Sequence, residues 1–232
     1  MTKIAWLDDQ LWFPDLSEAL QDPDGLLAAG GDLSSERLAL AYYSGIFPWY
    51  SDGQPILWWS PGTRCIIDQA HLHISASMRK LIRKERYQIT RDRAFEQVIR
   101  SCAAPRSYAD STWITEDMIQ AYTELHRRGI AHSFEVWDQQ AGEKLVGGLY
   151  GVAIGSCFFG ESMFSTAPNT SKLAFIHMVE QLTTWNFKLI DCQLENPHLM
   201  SMGAYGICKQ RFLTILKSAR VIPPSELAWR QV

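Results

Sequence analysis

The sequence has little of what marks a secreted, membrane-spanning or disulfide-rich protein. Its five cysteines include no C-x-x-C pair, which argues against a disulfide scaffold or a zinc finger and fits a reducing compartment. No apolar run approaches the roughly 20 residues that span a bilayer, and the N-terminus lacks the apolar stretch of a signal peptide. We therefore expect a cytoplasmic protein without a membrane partner.

Signatures for nucleotides and metals are also missing. Gly30-Gly31 is not followed by Gly-Lys-Ser or Gly-Lys-Thr, and no G-x-G-x-x-G occurs, so a P-loop and a dinucleotide-binding motif are both disfavoured. His71 and His73 would share one face of a strand, but no third ligand has the spacing of a metal site. We expect neither a metal nor a cofactor.

What the chain does have is enough apolar material for a folded core. Its 232 residues are 47% hydrophobic and 20% charged, which excludes a disordered chain and suits one large domain or two small ones. Ser60-Pro61-Gly62 is typical of a break between structural units. We predict a small N-terminal domain over residues 1–62 and a larger domain over residues 63–232.

Charge is unevenly distributed along the chain, whose formal net charge is −3. Residues 1–60 contain two basic and nine acidic side chains, so the remainder has an excess of positive charge. Four of these cations lie close together: Arg79, Lys80, Arg83 and Lys84. Their spacing of three and four places them on one side of a predicted helix. A solvated helix face is one interpretation, but the scarcity of acids nearby favours a polyanion partner.

Hydrophobic periodicity and turn residues predict strands that alternate with helices. Ser34 and Gly45 have the residue types of a helix start and stop, and the segment 25–34 before them is rich in turn residues. Helices are predicted at 75–86, 93–102, 115–129, 171–185, 198–203 and 209–218, and strands at 64–68, 131–137, 144–154, 156–160 and 188–193. Strands interleaved with helices indicate a mixed α/β fold.

Three polar residues occur in otherwise apolar surroundings. Asp191 and Gln193 end an apolar strand, and alternation along that strand places them on the same face. Glu161 lies between Phe158-Phe159-Gly160 and Ser162-Met163-Phe164. Carboxylates in such surroundings need a partner or a task. A structural aspartate that accepts backbone hydrogen bonds is the alternative, and the residues alone leave both interpretations open.

Tryptophan is unusually frequent, with nine in the chain. Trp49, Trp58, Trp59 and Trp113 are candidates for stacking on bases or sugars, although most aromatic residues in a chain of this size belong to the core. Cys192 would face the side of the sheet opposite to its neighbours, so a buried inert thiol explains it better than a nucleophile.

Eight motifs follow one another along nearly the whole chain: Gly25-Leu-Leu-Ala-Ala-Gly-Gly-Asp-Leu-Ser, Gly45-Ile-Phe-Pro-Trp-Tyr, Pro55-Ile-Leu-Trp-Trp-Ser-Pro, Thr112-Trp-Ile-Thr, Ala131-His-Ser-Phe-Glu-Val-Trp, Leu145-Val-Gly-Gly-Leu-Tyr-Gly-Val-Ala, Gly160-Glu-Ser-Met-Phe-Ser and Leu189-Ile-Asp-Cys-Gln. In this order they resemble the bacterial leucyl/phenylalanyl-tRNA–protein transferases. The resemblance implies a GNAT-like acyltransferase domain preceded by a small N-terminal domain. It also implies transfer of leucine or phenylalanine from aminoacyl-tRNA to the α-amino group of proteins that begin with Arg or Lys, which marks them for degradation.

The resemblance implies roles for individual residues. Asp191 and Gln193 match the family's catalytic pair, and Glu161 matches its acceptor-side acid. Trp49 and Trp113 match the aromatic residues that hold the terminal adenosine of the tRNA. Positions that line or border the pocket for the transferred side chain are matched by Leu149, Phe158, Met163, Phe175, Met178, Leu182 and Ile190, and the basic surface that meets the tRNA body is matched by Arg79, Lys80, Arg83 and Lys84. Some family members carry Met where this chain has Leu149, so we expect an altered preference between leucine and phenylalanine rather than lost activity.

The expected partners are leucyl-tRNA, phenylalanyl-tRNA and proteins with N-terminal Arg or Lys, and we expect the enzyme to be a monomer. The residues leave three alternatives, of which a carbohydrate-active hydrolase, suggested by the tryptophans and acids together, is the weakest. One is an acetyl-coenzyme A-dependent GNAT acyltransferase, although the R/Q-x-x-G-x-G/A motif for the coenzyme's pyrophosphate is not found. Another is an RNA-binding module without catalysis, which would bind charged and uncharged tRNA alike.

Overall fold

The computed structural model describes residues 4–104 and 112–230, and its first sheet is built from the N-terminal quarter of the chain. The strands are β1 (Ala5–Leu7), β2 (Leu26–Gly30), β3 (Phe47–Pro48) and β4 (Leu57–Trp59), in the spatial order β1-β2-β4-β3. β2 is buried along its whole length and pairs with β1 on one side and β4 on the other. The turn-rich segment predicted before the first helix therefore contains a central strand, and its continuous apolar run is typical of a strand covered on both faces.

The first helix, α1 (Ser35–Ser44), follows that strand and has the two ends that the sequence predicts. The Ser34 hydroxyl accepts a hydrogen bond from the backbone N–H of Arg37, which satisfies one of the free donors of the first turn. Gly45 ends the helix in the left-handed conformation, with φ of 81°, where a residue without Cβ is least strained. The helix buries Leu38, Ala41 and Tyr42.

A larger sheet of seven strands follows. Its strands are β5 (Thr63–Ile67), β6 (Tyr87–Arg91), β7 (Ala131–Asp138), β8 (Lys144–Ile154), β9 (Cys157–Ser165), β10 (Leu189–Gln193) and β11 (Tyr205–Cys208), in the order β11-β5-β10-β9-β8-β7-β6. Neighbouring strands are antiparallel except β9 and β10, which are parallel. The predicted mixed α/β fold, with a small N-terminal part ahead of a larger sheet, is confirmed.

In the part of the chain that the structure describes, six further helices pack against this sheet or connect its strands: α2 (Ala76–Ile82), α3 (Phe95–Ala103), α4 (Glu116–Arg127), α5 (Thr170–Thr184), α6 (Pro197–Met200) and α7 (Lys209–Ala219). α5 connects the parallel strands β9 and β10, because parallel neighbours need a long crossover. All six helices were predicted within a few residues of their observed bounds, whereas strands β6 and β11 were not. Tyr87–Arg91 pairs with β7, and Tyr205–Cys208 pairs with β5.

The second helix is shorter than predicted. It ends at Ile82, with Arg83 as its C-terminal cap, and Glu85 has a left-handed φ of 50°. The chain must turn here because the residues that follow form β6. Arg83 and Lys84 therefore lie in the turn after α2 instead of on its surface, and the predicted helix face of four cations is wrong in that respect.

The two sheets share one hydrophobic core. Leu38 and Trp58 from the N-terminal part belong to the same buried cluster as Tyr122, Tyr150 and Phe159 from the larger part. The chain passes from one sheet to the other between β4 and β5, close to the boundary predicted at residues 62 and 63, and the division into two domains stays a prediction. Within the described residues, no helix is both long and apolar enough to cross a membrane.

Candidate functional site

A cavity of about 930 Å³ lies where strands β9 and β10 separate. The two strands pair only between Cys157–Phe159 and Leu189–Asp191. Beyond Phe159, β9 continues its pairing with β8 alone, and β10 pairs with β5 on its other side. The gap between them is lined by residues of these two strands together with residues of β3, β8, α5 and α6.

Two β-bulges occur at the same level as this gap. The register of β8 with β9 shifts between the pairs Tyr150/Ser162 and Gly151/Gly160, which leaves Glu161 as the extra residue. The register of β10 with β5 shifts between Asp191 and Gln193, and Gln193 has a left-handed φ of 61°. Bulges turn side chains away from the regular alternation and are frequent at active sites. The bulge after Asp191 interrupts the strand alternation from which a shared face for Asp191 and Gln193 was predicted. Both residues nevertheless line the cavity, together with Glu161.

The Asp191 carboxylate is fully buried and is held by an arginine. Arg64 Nε lies 2.9 and 3.0 Å from the two carboxylate oxygens, and Arg64 Nη2 lies 2.6 Å from Oδ2. The guanidinium is itself buried between the rings of Phe47 and Phe212 and donates to the Gly45 carbonyl at 3.0 Å. Burial of a charge without a partner would be strongly unfavourable, so the pair is a fixed unit.

Asp191 also holds the backbone of its neighbour. Asp191 Oδ1 accepts a hydrogen bond of 2.8 Å from the backbone N–H of Gln193. This contact stabilises the left-handed conformation that a non-glycine residue rarely adopts. The expected catalytic aspartate is therefore joined to Gln193 through the backbone, and its carboxylate oxygens are occupied by Arg64 and by that N–H.

Glu161 has no cationic partner among the described residues, and neutral donors hold it instead. Gln193 Nε2 donates to Glu161 Oε1 at 2.8 Å, and the Tyr122 hydroxyl donates to Oε2 at 3.2 Å. The pKa of Glu161 is raised to about 7, chiefly by desolvation. The hydrogen bonds from Tyr42, Gln193 and Tyr122 oppose this shift, and the charge of Asp191 adds to it. The carboxyl can therefore gain and lose a proton near neutral pH.

Three buried tyrosines surround that carboxyl. Tyr42 and Tyr122 share a short hydrogen bond between their hydroxyls, and the Tyr122 ring meets the Tyr150 ring edge-on at 5.7 Å. Burial, followed by the nearby charge of Glu161, raises the pKa of each of the three hydroxyls well above its ordinary value. They therefore stay neutral and can act only as hydrogen-bond partners at physiological pH.

The apolar side of the cavity contains five of the seven residues expected to form the side-chain pocket: Leu149, Met163, Phe175, Met178 and Ile190. Phe158 and Leu182 do not line it. They are fully buried in the adjoining core cluster, where the Phe158 ring stacks 6.1 Å from Trp229. These two residues can influence the pocket only through the residues packed on them.

Trp49 and Trp113 also line the cavity. The Trp49 side chain is 43% exposed, and its ring lies 5.6 Å from that of Trp59, whose Nε1 donates to the Trp49 carbonyl at 2.7 Å. Trp113 is half-buried. An exposed ring held by its neighbour at a cavity mouth is suited to stacking on a flat group, and the adenosine role stays a prediction.

The four cations Arg79, Lys80, Arg83 and Lys84 are all exposed. Within residues 4–104 and 112–230 none of them forms an ion pair with a carboxylate. They lie outside the cavity lining, as a contact to the body of a large polyanion would require. In the same part of the chain, no group of three His, Cys, Asp or Glu is placed to hold a metal ion.

Three residues that hold the two carboxyls by hydrogen bonds were not found from the sequence. Arg64 carried a signal, since a charged residue at the start of the apolar run Cys65-Ile-Ile67 needs a partner. Tyr42 and Tyr122 carried none, because tyrosines on the buried stripes of helices are common in any core.

Comparison with known proteins identifies the family. The model described as leucyl/phenylalanyl-tRNA protein transferase matches residues 66–217, and the model of its N-terminal domain matches residues 31–62. A leucyl/phenylalanyl-tRNA–protein transferase of Hahella chejuensis (strain KCTC 2396) is 57% identical over 217 residues, which cover 94% of this chain and 92% of the relative. One of Pseudomonas syringae pv. syringae (strain B728a) is 56% identical over 227 residues, 97% of each chain.

These matches define the class of protein as an aminoacyltransferase. The chain belongs to the leucyl/phenylalanyl-tRNA protein transferase family. The solved structure of L-PGS from Bacillus licheniformis resembles it with a TM-score of 0.40 at 12% identity, over 73% of this chain and 53% of that one. This resemblance is too distant to inform either fold or function.

Proposed function

We propose that this protein transfers leucine or phenylalanine from aminoacyl-tRNA to the α-amino group of proteins that begin with Arg or Lys, marking them for degradation. The observation that carries the proposal is a cavity whose wall combines apolar side chains with the Gln193–Glu161 hydrogen bond. The apolar side chains suit the side chain of the donor, and the hydrogen-bonded pair suits an incoming amine.

The donor would be held at two points. Burial of its leucine or phenylalanine side chain against Leu149, Phe175 and Met178 contributes about 1.5–3 kcal/mol. Stacking of the terminal adenosine on Trp49 and Trp113 contributes about 1–3 kcal/mol per base. Neither contact involves the anticodon, so selection depends on the amino acid and on the end of the tRNA.

The reaction is aminolysis of an ester, and the donor ester is already activated. The nucleophile is an α-amine with a pKa of roughly 7.7–8.0, so a strong base is unnecessary near neutral pH. Because Gln193 Nε2 is engaged with Glu161, its Oε1 is the atom left to accept a hydrogen bond from the amine. Asp191 holds the Gln193 backbone in place, and orientation of the amine against the ester supplies much of the acceleration.

Glu161 would face the acceptor. Its carboxylate lies on the cavity wall beside Gln193, where a negative charge attracts the cationic N-terminus of a peptide that begins with Arg or Lys. The exposed cations Arg79, Lys80, Arg83 and Lys84 would meet the tRNA body. Four phosphate contacts predict a slope of about −3 to −4 for the logarithm of tRNA affinity against the logarithm of salt concentration. We propose that the enzyme acts as a monomer.

The testing experiment incubates the protein with leucyl-tRNA, phenylalanyl-tRNA or valyl-tRNA and with peptides that begin with Arg, Lys or Ala. The expected result is the mass of one leucyl or phenylalanyl residue added at the N-terminus of the Arg and Lys peptides. A Gln193→Met variant, which keeps the length of the side chain but lacks its carboxamide, should bind the donor and fail to transfer it. Unmodified peptides together with equal affinity for charged and uncharged tRNA would indicate an RNA-binding module, and consumption of acetyl-coenzyme A would indicate the other acyltransferase.

A further inference from the structure

A continuous chain of hydrogen bonds leads from the cavity wall into the core. It runs from the Gln193 amide to the Glu161 carboxyl, from there to the Tyr122 hydroxyl, and on to the Tyr42 hydroxyl. Four separate elements supply its members: β10, β9, α4 and α1. Tyr42 belongs to the N-terminal part of the chain, so both parts hold this one carboxyl.

The transfer releases a proton that some group must take from the attacking nitrogen. A carboxamide such as that of Gln193 is not a base at neutral pH. The Asp191 carboxylate is fully buried, and it receives three hydrogen bonds from Arg64 and one from the Gln193 backbone. Among the described residues that line the cavity, Glu161 is the carboxyl whose hydrogen-bond donors are all neutral.

We propose that Glu161 is the proton acceptor of the transfer reaction, and that Tyr122 and Tyr42 are positioning residues that hold its carboxylate toward the cavity. This inference rests on the proposed function, because it assigns a proton step within that same reaction.

The step balances without a further reactant. The lone pair of the acceptor's α-amine forms a C–N bond with the ester carbonyl carbon, and the nitrogen passes one proton to a Glu161 oxygen. The tetrahedral intermediate then breaks the bond between that carbon and the ribose oxygen. The leaving oxygen takes the proton back from Glu161, which restores the carboxylate and gives a free hydroxyl on the tRNA.

The ionisable groups that face Glu161 come from four elements: Tyr42 of α1, Tyr122 of α4, Tyr150 of β8 and Asp191 of β10. Burial and the charge of Asp191 raise the pKa of Glu161, and the hydrogen bonds from Tyr42, Gln193 and Tyr122 lower it. Loss of the Tyr122 hydroxyl must therefore raise that pKa further, and the pH at which the carboxylate becomes available must rise with it.

The test is the pH dependence of single-turnover transfer from prebound phenylalanyl-tRNA to one Arg-initiated peptide. The unmodified protein is compared with Glu161→Gln, Tyr122→Phe, Tyr42→Phe and a matched control, Tyr43→Phe, on the same helix as Tyr42 and half exposed. Ionisation of the peptide amine is common to all five proteins, so differences between them report on Glu161. Affinity for a non-hydrolysable amide analogue of phenylalanyl-adenosine is measured in parallel.

We expect Glu161→Gln to slow transfer by about 10²–10⁴-fold while affinity for the analogue stays within about twofold. Tyr122→Phe and Tyr42→Phe should move the acid limb of the rate profile upward by about 0.5–1 pH unit, the effect of one hydrogen bond, and Tyr43→Phe should leave it in place.

Transfer by Glu161→Gln within tenfold of the unmodified protein would overturn the proposal, as would a Tyr122→Phe profile that coincides with the control. In both cases the proposed function would stand. Absence of transfer by the unmodified protein at every pH would refute the proposed function, and this inference with it.

Discussion

The two carboxyls that line the cavity from neighbouring strands have opposite surroundings. Asp191 on β10 meets the buried guanidinium of Arg64 at 2.6 Å. Glu161 on β9 meets two hydroxyls and an amide, with no cation near it in the described part of the chain. Both carboxyls are largely removed from water, and the difference between them is the presence of a cation.

That difference separates two functions that the sequence alone could not distinguish. A carboxylate paired with a buried guanidinium keeps its charge and fixes the geometry around it. A desolvated carboxyl with neutral donors is poised to exchange a proton near neutral pH. We therefore regard Asp191 as the residue that positions Gln193, and Glu161 as the residue that handles the proton.

The largest expected effect comes from breaking the buried pair. Arg64→Met should lower the free energy of unfolding by about 3–5 kcal/mol, because it leaves the Asp191 carboxylate buried without a partner. Arg93→Met is the matched control, since Arg93 pairs with Glu143 at 3.3 Å with both side chains about half exposed, and its loss should cost no more than about 1 kcal/mol. The free energy of unfolding in urea is measured for the unmodified protein, Arg64→Met and Arg93→Met. An equal decrease in the two variants would contradict a structural role for the Arg64–Asp191 pair.

The next effect concerns stability against pH. Glu161 has a pKa of about 7 in the folded protein against 4.5 for an ordinary glutamate, so the folded state binds the proton more tightly than the unfolded state. Its contribution to stability is then fully present below about pH 4.5 and is lost as pH rises through 7, by an amount on the order of 3 kcal/mol.

Glu161→Gln should remove this decrease of the free energy of unfolding with rising pH, because glutamine does not titrate. The free energy of unfolding is compared for the variant and the unmodified protein between about pH 5 and about pH 8, which covers most of the window between the ordinary pKa of 4.5 and the raised pKa of about 7. If the difference between the two proteins is constant over this range, Glu161 does not titrate there.

A smaller effect is expected at the cavity mouth, which contacts neither carboxyl directly. Trp49→Ala should weaken binding of aminoacyl-tRNA by about 5–150-fold, the equivalent of one lost stacking contact. The exposed Trp6 provides the control, since its side chain is 69% exposed and lies outside the cavity lining. The pH dependence of the free energy of unfolding should be unchanged when either Trp49 or Trp6 is replaced by Ala. If Trp49→Ala binds aminoacyl-tRNA as tightly as the unmodified protein, Trp49 is not part of the donor site.

The smallest effect is expected in the apolar wall. Leu149→Met conserves volume and adds flexibility, so it should change the ratio of leucine to phenylalanine transfer by less than about tenfold. Competition between leucyl-tRNA and phenylalanyl-tRNA measures that ratio. Loss of transfer with both donors would show that Leu149 has a role beyond shaping the pocket.

Much of the larger sheet could be predicted because its signals are local. The strand Ala131–Asp138 and the helices Glu116–Arg127 and Thr170–Thr184 follow from alternation, periodicity and capping residues. Strands β6 and β11 were missed because short edge or connecting strands with mixed polarity have no such pattern. β2 was missed because its glycine-rich flanks favour a turn while its central position requires a strand.

The site could be predicted only in part. Asp191, Gln193 and Glu161 were conspicuous as polar residues in apolar runs, and the structure brings all three to one cavity. Asp191 is paired with a cation because Arg64, 127 residues away in the chain, contacts it. Glu161 has neutral donors instead, and its tyrosine partners come from two helices. Such long-range contacts leave no local pattern, so the division of roles between the two carboxyls required the structure.

The most direct test of this division is the titration of Glu161 itself. Carboxyl ¹³C NMR of protein labelled at glutamate, with Glu161→Gln to assign the signal, reports the protonation of that one side chain. We expect a titration midpoint near 7 that moves upward in Tyr122→Phe. A midpoint at the ordinary value of 4.5, unaffected by the loss of the Tyr122 hydroxyl, would contradict this division of roles.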